Sequence, residues 1–340
     1  MDIQRVDSLN VPMLEQNLGY TGLDSWGKFI LDTYRFKSHR IVAYDNNLPV
    51  GVIVLVEIRH PVFGHYLTTA PYGSYGGIVF GNEGVLNTLL DETGHLARQL
   101  GVKYVTIRKM NDGTLPPKTW VPDPIYHTYR VVLPATAQEL LESYSANHRN
   151  HIRKSLKQGN VVRFGHLELL DDAYKGLSVS MHELGSPYHR KSYLQKMAET
   201  LGNTLEFAVL YNMQGNVAGS GVFITQGLTV SNLHANVIKK YRSSYAGELL
   251  YWSVIDRAIS KKMRIFDLGR SLVNSGNEVF KLKWVKEKTP LSYWYWLAPS
   301  QKVPSINQRN PQYQAAIAIW KRIPLPLANI IGTYIIRGLA

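Results

Sequence analysis

The chain contains no cysteine. Disulfides, thiolate nucleophiles and Cys-ligated zinc are thereby excluded. Its eleven histidines show no HExxH or comparable ligand spacing, so a metal enzyme is not expected. No uninterrupted apolar run reaches the roughly 20 residues that span a bilayer. The opening MDIQRVDSLN lacks the basic start and apolar core of a secretory signal, so a cytoplasmic protein is expected. Acidic residues are the scarcer charge, 25 Asp and Glu against 38 Lys and Arg, for a net charge of +13. That surplus predicts an anionic partner, whether nucleic acid, a phosphorylated carrier or an acidic membrane face, without choosing among them. Against these absences stand 45% apolar and 11% aromatic residues in 340, enough for two ordinary cores or one large one.

The organisation emerges from comparing the two halves. Residues 41–56, IVAYDNNLPVGVIVLV, read as strand, polar turn and strand, and residues 207–224, FAVLYNMQGNVAGSGVFI, read the same way, with Tyr44–Gly51 matching Tyr211–Gly219 within one residue. Downstream, LARQLGVKYVTIRKM (96–110) and AISKKMRIFDLGRSL (258–272) each give a helix end, a short turn and an apolar strand. The same order recurs about 165 residues later, which predicts a duplicated α/β unit. The expected partition is 1–133, 134–298 and a connection plus tail over 299–340, with residues 299–322 a Pro-, Asn- and Gln-containing link. In the second unit, residues 138–159 predict two helices, the second stopped at Gly159, and residues 247–262 an amphipathic helix.

Three clusters are candidates for chemistry. Arg149, Arg153 and Lys157 share a helix face, with Lys154 beside them and no acid between 147 and 163. Guanidinium forks suit phosphate, although a charge run is equally a solvated face. The stretch FDLGRS sets Asp267, Arg270 and Ser271 at the end of an apolar strand, with Gly269 permitting a tight turn, and Lys281, Lys283 and Trp284 follow. Strand carboxyl ends are where α/β proteins bind ligands. An Asp267–Arg270 or Asp267–Lys281 pair is expected, at a cleft floor or as a structural tie. In HELGSPYHR, His182, Tyr188, His189 and Arg190 surround a Gly-Ser-Pro turn, offering proton carriers near neutral pH. The first half adds a Gly- and Tyr-rich loop, TTAPYGSYGG, with Tyr72, Tyr75, Gly76 and Gly77.

The end of the chain is apolar but interrupted. IPLPLANIIGTYIIRGLA (323–340) carries Pro324, Pro326 and Arg337, and residues 301–340 contain five basic residues and no acid. Such a segment either lies on an anionic membrane face or packs on the protein's own core.

RNHIRKSLKQG, HELGSPYHRKSYL, the run YRSSYAGELLYWSVIDRAISKKMRIFDLGRS, FKLKW, FGHYLTTAPYGSYGG and IPLPLANIIGTYIIRGL together resemble the FemAB-like transferases, in particular the branch associated with exosortase and exopolysaccharide gene clusters. The resemblance implies an α/β (α+β) fold of two tandem GNAT-like domains, each a mixed central sheet flanked by helices. It implies transfer of an acyl or aminoacyl group to an amine of an envelope, peptidoglycan or exopolysaccharide precursor, from acyl-CoA or aminoacyl-tRNA, with no tightly bound cofactor. Arg149, Arg153, Lys154, Asp267, Arg270, Ser271 and Lys281 match family positions. GNAT enzymes hold the CoA pyrophosphate on a helix start with a Q/R-x-x-G-x-G/A pattern. Here Arg242 and Gly247 fit that pattern, but Tyr245 stands where the first glycine belongs, and Val285 follows FKLKW where a glycine is expected.

On this reading Asp267 is the expected catalytic residue, with His182 and His189 as alternatives. Arg149, Arg153, Lys154, Tyr188, Arg270, Ser271, Lys281 and Tyr75 are expected to bind substrate, and Arg242 and Gly247 the donor. No metal is expected. The expected partners are an anionic donor, a lipid-linked, saccharide or peptide acceptor, and the inner face of the cytoplasmic membrane through the tail. The competing readings are a non-catalytic tRNA or nucleic-acid binder and a membrane-attached scaffold of a polysaccharide assembly system.

Overall fold

The computed structural model describes residues 1–304 and 314–340, together with the helical backbone of 311–313. The first half forms β1 (Asp2–Val6), α1 (Pro12–Glu15), α2 (Asp24–Tyr34), β2 (Ser38–Asp45), β3 (Leu48–His60), β4 (Gly64–Thr68), β5 (Ile78–Phe80), α3 (Glu83–Leu100), β6 (Tyr104–Met110), β7 (Val121–Pro122), β8 (Tyr126–Thr128) and β9 (Arg130–Val132). Next come α4 (Ala137–Ser143), α5 (Ala146–Leu156), β10 (Val161–Gly165), α6 (Leu170–Leu184), α7 (Lys191–Leu201), β11 (Leu205–Tyr211), β12 (Val217–Gln226) and β13 (Thr229–Val237). The chain continues through α8 (Ala246–Ser260), β14 (Ile265–Asp267), β15 (Ser271–Leu272), α9 (Gly276–Lys281), β16 (Thr289–Leu297), α10 (Pro311–Trp320) and α11 (Leu325–Ile336).

The strands make two mixed sheets, one of 10 strands with eight on the path β1-β2-β3-β4-β6-β16-β8-β15, β5 beside β3 and β7 beside β16, the other of 6 in the order β10-β11-β12-β13-β14-β9. The repeat is visible at residue level. The β2–β3 hairpin shifts register between Ala43 and Tyr44, and the β11–β12 hairpin shifts between Leu210 and Tyr211, the tyrosines that the sequence aligns. Each unit then places one parallel pair in its sheet, β4 with β6 and β13 with β14. The units also exchange their next strands. β16, late in the chain, pairs with β6, while β9, from the first half, pairs with β14.

Local chemistry sets the helix ends. Asn82 caps α3 by accepting from Val85 N, and the helix stops at Gly101 with φ +66°. Ser145 caps α5 by accepting from His148 N. The residues 299–322 are not merely a link, because Ala-rich QAAIAIW extends α10 through them from Pro311; the part of that link at 305–310 lies outside the described residues. Pro324 and Pro326 begin α11 rather than break it, since a first-turn residue needs no N–H partner.

Each unit has a core of its own, and a third cluster is shared by both: it joins Trp26 and Phe29 of α2, Tyr193, Leu194 and Met197 of α7, and Tyr293 and Tyr295 of β16. Burying so many aromatics across the junction makes the two sheets one packed body.

Candidate active site

The site lies where β13 and β14 part. They pair over Thr229–Ile265, Val230–Phe266 and Ser231–Asp267. Beyond that, a bulge at Leu233, between the Val222–His234 and Phe223–Asn232 pairs, bends β13. Gly269 at φ +74° turns the other chain away; a side chain there would be strained and would approach Asn232 O to 3.2 Å. Asn232 bridges the opening, its Nδ2 donating to Leu268 O at 3.3 Å and to Tyr251 Oη at 3.0 Å.

A cavity of about 630 Å³ fills this wedge. Its walls are the free stretch of β13 from Asn232 to Val237, the Leu268–Arg270 turn, the first turn of α8, the end of α9 and the Tyr72–Ser74 loop. On the other side of the turn a second cavity of about 500 Å³ is lined by Tyr75, Lys109, Asp112, Arg130, Ser231 and Asp267. Ser74, Asn232 and Gly269 border both cavities, which therefore adjoin at these three residues.

Lys281 is the least ordinary group in the first cavity. The end of α9 buries it, and its Nζ donates to Gly269 O and Arg270 O, both at 2.8 Å. No carboxylate pairs with it among the described residues. Burial pushes its ammonium down to about 7, with the Asp267 charge opposing and Arg270 adding to the fall. An amine with two hydrogens committed to carbonyls and a pKa near neutrality keeps a lone pair available for a proton.

Asp267 is buried, and its carboxylate is filled by neutral donors: Tyr75 Oη at 2.5 Å, Thr128 Oγ1 at 2.7 Å and Gly269 N at 2.8 Å. The expected ion pair with Arg270 or Lys281 is therefore not formed. Arg270 donates instead to Tyr293 Oη at 2.6 Å and lies over the Tyr126 ring. Its backbone N donates to Ser74 Oγ at 3.0 Å, fastening the turn to the Gly- and Tyr-rich loop. Asp267 and Tyr75 face the second cavity, and Arg270 and Lys281 the first. Ser271 is buried on β15 and lines neither.

The two candidate histidines separate. His189 is in the wall of the first cavity, stacked on Tyr193 at 3.6 Å and hydrogen-bonded to Tyr34 Oη, and burial, aided by His234, holds it neutral well below its ordinary pKa. His182 lies outside it, its Nε2 2.8 Å from Ile323 O, tying α6 to the segment before α11. Tyr188 is buried against His234 and Gly332 rather than presented to a ligand.

At the start of α8, Tyr245 adopts φ +57°, a left-handed conformation that a glycine would accept without strain. Arg242 Nε donates to Val237 O at 3.0 Å, and Arg242 and Gly247 both line the first cavity. Glu248, however, puts a buried carboxylate in this first turn, 3.3 Å from Lys283 Nζ, where the helix would otherwise offer an anion site. Of the basic row, Arg149 is spent on the carbonyls of Glu142 and Tyr144 at the end of α4. Arg153 and Lys154 are exposed on α5, and Lys157 just past its end, while His151 of the helix stacks on Tyr245 at 4.5 Å.

Three residues with strong claims escape the sequence reading. Asn232 Oδ1 and His234 Nε2 are buried at the first cavity without a partner among the described residues, and burial lowers the His234 pKa to about 4. Arg130, opposite Asp267 in the β9–β14 pair, brings an unpartnered Nε to the second cavity. The signal for the first two is the polar run in VSNLHANV, which is unusual for a strand in the middle of a sheet.

Residues 142–282 match the acetyltransferase (GNAT) domain family. No curated protein matches the sequence. Among solved structures, FemX superposes with a TM-score of 0.65 and 13% identity over 93% of this chain and 100% of that one. L-PGS from Bacillus licheniformis gives 0.56 and 14% over 92% and 96%. A tandem GNAT protein from the clavulanic acid biosynthesis pathway gives 0.56 and 12% over 88% and 100%. At such identities the likeness is one of fold. The GNAT domain match over residues 142–282 and the fold shared along the chain with FemX and the tandem GNAT protein agree with the tandem GNAT-like fold that the FemAB-like resemblance implied.

Proposed function

We propose that this acyltransferase moves an aminoacyl group from aminoacyl-tRNA onto an amine of a cell-envelope, peptidoglycan or exopolysaccharide precursor, the acceptor class that the exosortase-linked resemblance implies. The observation carrying the proposal is the buried, carboxylate-free Lys281 at the floor of an open strand wedge. The donor carbonyl lies in that wedge, and the acceptor amine arrives from the second cavity past Ser74, Asn232 and Gly269. As the amine nitrogen attacks the carbonyl carbon, its proton passes to Lys281 Nζ and then to the departing ribose oxygen. The edge of β13 beyond Ser231, no longer engaged by β14, offers donors to the developing oxyanion. Asp267 positions the turn and Tyr75, while Arg130 holds a phosphate or carboxylate of the acceptor, Lys109 being paired with Asp112 at 2.5 Å.

The choice of RNA over CoA as carrier is supported by Glu248, whose carboxylate repels a diphosphate at the α8 start, and by the exposed Arg153, Lys154 and Lys157. An acyl-CoA donor is the alternative. No tightly bound cofactor is required, and we place the reaction on the cytoplasmic side, where such donors are made. Residues 1–133 and 134–298 act as the two units, with β9 and β16 exchanged between them, and 299–340 as a strap.

Thermal stabilisation by aminoacyl-tRNA, by deacylated tRNA and by CoA thioesters tests the donor, because a ligand at 100 times its Kd adds about 2.7 kcal/mol. Mass spectrometry of amino-sugar and peptide-amine acceptors then tests transfer. Stabilisation by CoA thioesters alone would reassign the donor. Salt-dependent RNA binding without any product would favour the non-catalytic binder.

A further inference from the structure

Helix α11 is built inside out for a soluble surface. Its small residues, Ala328 and Gly332, press against the protein; a Cβ on Gly332 would meet Trp320 and the Tyr188 backbone at 3.2 Å. Four of its large apolar residues face outward. Leu327, Ile330, Ile331 and Tyr334, spaced three and four apart, are 52%, 54%, 42% and 52% exposed. Val62 in the β3–β4 turn, 77% exposed, extends the patch. The turn belongs to it because the His60 imidazole N–H donates to Tyr334 O at 2.6 Å. An outward apolar stripe of this size marks a surface that is covered in use.

Charge identifies the cover. Lys321 and Arg322 are exposed just ahead of the stripe, and the guanidinium groups of Arg190 and Arg337 lie 5.4 and 5.7 Å from the centre of the Tyr334 ring. Residues 301–340 contain no acid. A second copy docked isologously would set these cations against themselves, whereas anionic headgroups neutralise them. No described helix is long and apolar enough to cross a membrane, so the stripe suits lying on a bilayer rather than spanning it. The far end of the same segment reaches the active site, since Ile336 and Leu339 line the first cavity.

We infer that α11 seats the protein on an anionic bilayer surface, its stripe of Leu327, Ile330, Ile331 and Tyr334 entering the headgroup region and its cations holding lipid phosphates. The inference stands apart from the transfer reaction, because lipid binding is measured without turnover.

Flotation of the full chain with phosphatidylcholine vesicles, with and without phosphatidylglycerol, is the test. Binding is expected only with phosphatidylglycerol. Ile330→Ser with Ile331→Ser should weaken it by more than about tenfold, and Lys321→Glu with Arg322→Glu by about fivefold or more for each cation removed. Circular dichroism and thermal melting establish that the variants fold. Since the chain has no cysteine, Ile330→Cys also accepts a single environment-sensitive dye, whose emission should shift to the blue on phosphatidylglycerol vesicles while a Leu115→Cys control does not. Absence of binding by the unaltered chain, or binding indifferent to the double serine variant, overturns the inference. So does a dimer that the serine variant converts to monomer, which would give the stripe to a second copy.

Discussion

In the first half, β4 and β6 run parallel through Tyr66–Tyr104, Leu67–Val105 and Thr68–Thr106 before parting; in the second, β13 and β14 part after Ser231–Asp267. The first opening is filled from within. Thr69 Oγ1 accepts from Arg108 N at 2.8 Å, Gly76 N donates to Arg108 O at 3.0 Å, and the Arg108 guanidinium donates to Ala340 O at 2.6 Å. Tyr66 Oη donates to Gly338 O at 2.9 Å, and a cavity of only about 210 Å³ remains. The second opening keeps about 630 Å³; among the described residues Asn232 Oδ1 and His234 Nε2 have no partner there, as Arg108 Nε has none in the first, so the difference lies in the space left open. Exposed strand edges demand partners. Where the chain supplies them, the wedge becomes a seat for its own tail; where it does not, a substrate can.

The sharpest test contrasts one cation in each wedge. Lys281→Met should lower kcat by about 10²–10⁴-fold while leaving stabilisation by the aminoacyl donor intact, whereas Arg108→Met should leave kcat near that of the unaltered enzyme. If both substitutions abolish transfer equally, the wedges are not functionally distinct. Next comes pH. With the folded-state pKa of Lys281 at about 7, below the ordinary 10.5, kcat/KM should climb as pH rises through 7. Between those two values the unfolded chain binds more protons than the folded one, so stability should also increase with pH across that window. Both dependences should vanish in Lys281→Met; an unchanged profile would assign the limb to another group.

A smaller effect is expected from unseating the tail. Tyr66→Phe and Arg108→Met should each lower unfolding stability by about 1–3 kcal/mol, read from denaturant midpoints, because each leaves a buried carbonyl without its donor. Loss of transfer without loss of stability would make the first wedge part of the active site. Smallest is Glu248→Gln, which keeps an acceptor for Lys283 but removes the charge from the α8 start. CoA thioester affinity should rise by about fivefold, measured by calorimetry, and indifference would remove Glu248 as a reason for choosing RNA over CoA.

Much of the architecture could be read from local pattern. The aligned tyrosines, Tyr44 and Tyr211, mark equivalent bulges, and the strand–turn–strand and helix–strand similarities locate β2–β3, β11–β12, β6 and β14 because alternation and helical spacing are short-range properties. The exchange of β9 and β16 was not readable, since strand partnership is decided by sheet edges far apart in sequence. The site was half legible. Gly269 and the charged FDLGRS turn drew attention to the segment that borders the two cavities, yet Arg130 reaches the second cavity through its pairing with Asp267. Asp267 looked like one half of an ion pair because sequence does not reveal that Tyr75, Thr128 and Gly269 N reach its oxygens first.

The sequence by itself determined the duplicated unit, the basic surplus and the cluster of polar residues after a buried strand, all of which are written in residue order and composition. Tertiary structure alone decided which of the two wedges stays open, that Lys281 loses its charge partner, and that α11 turns four of its large apolar side chains outward. The reason is common to all three. Each depends on what fills the space around a group, and hydrogen-bond supply and desolvation are fixed by neighbours distant along the chain.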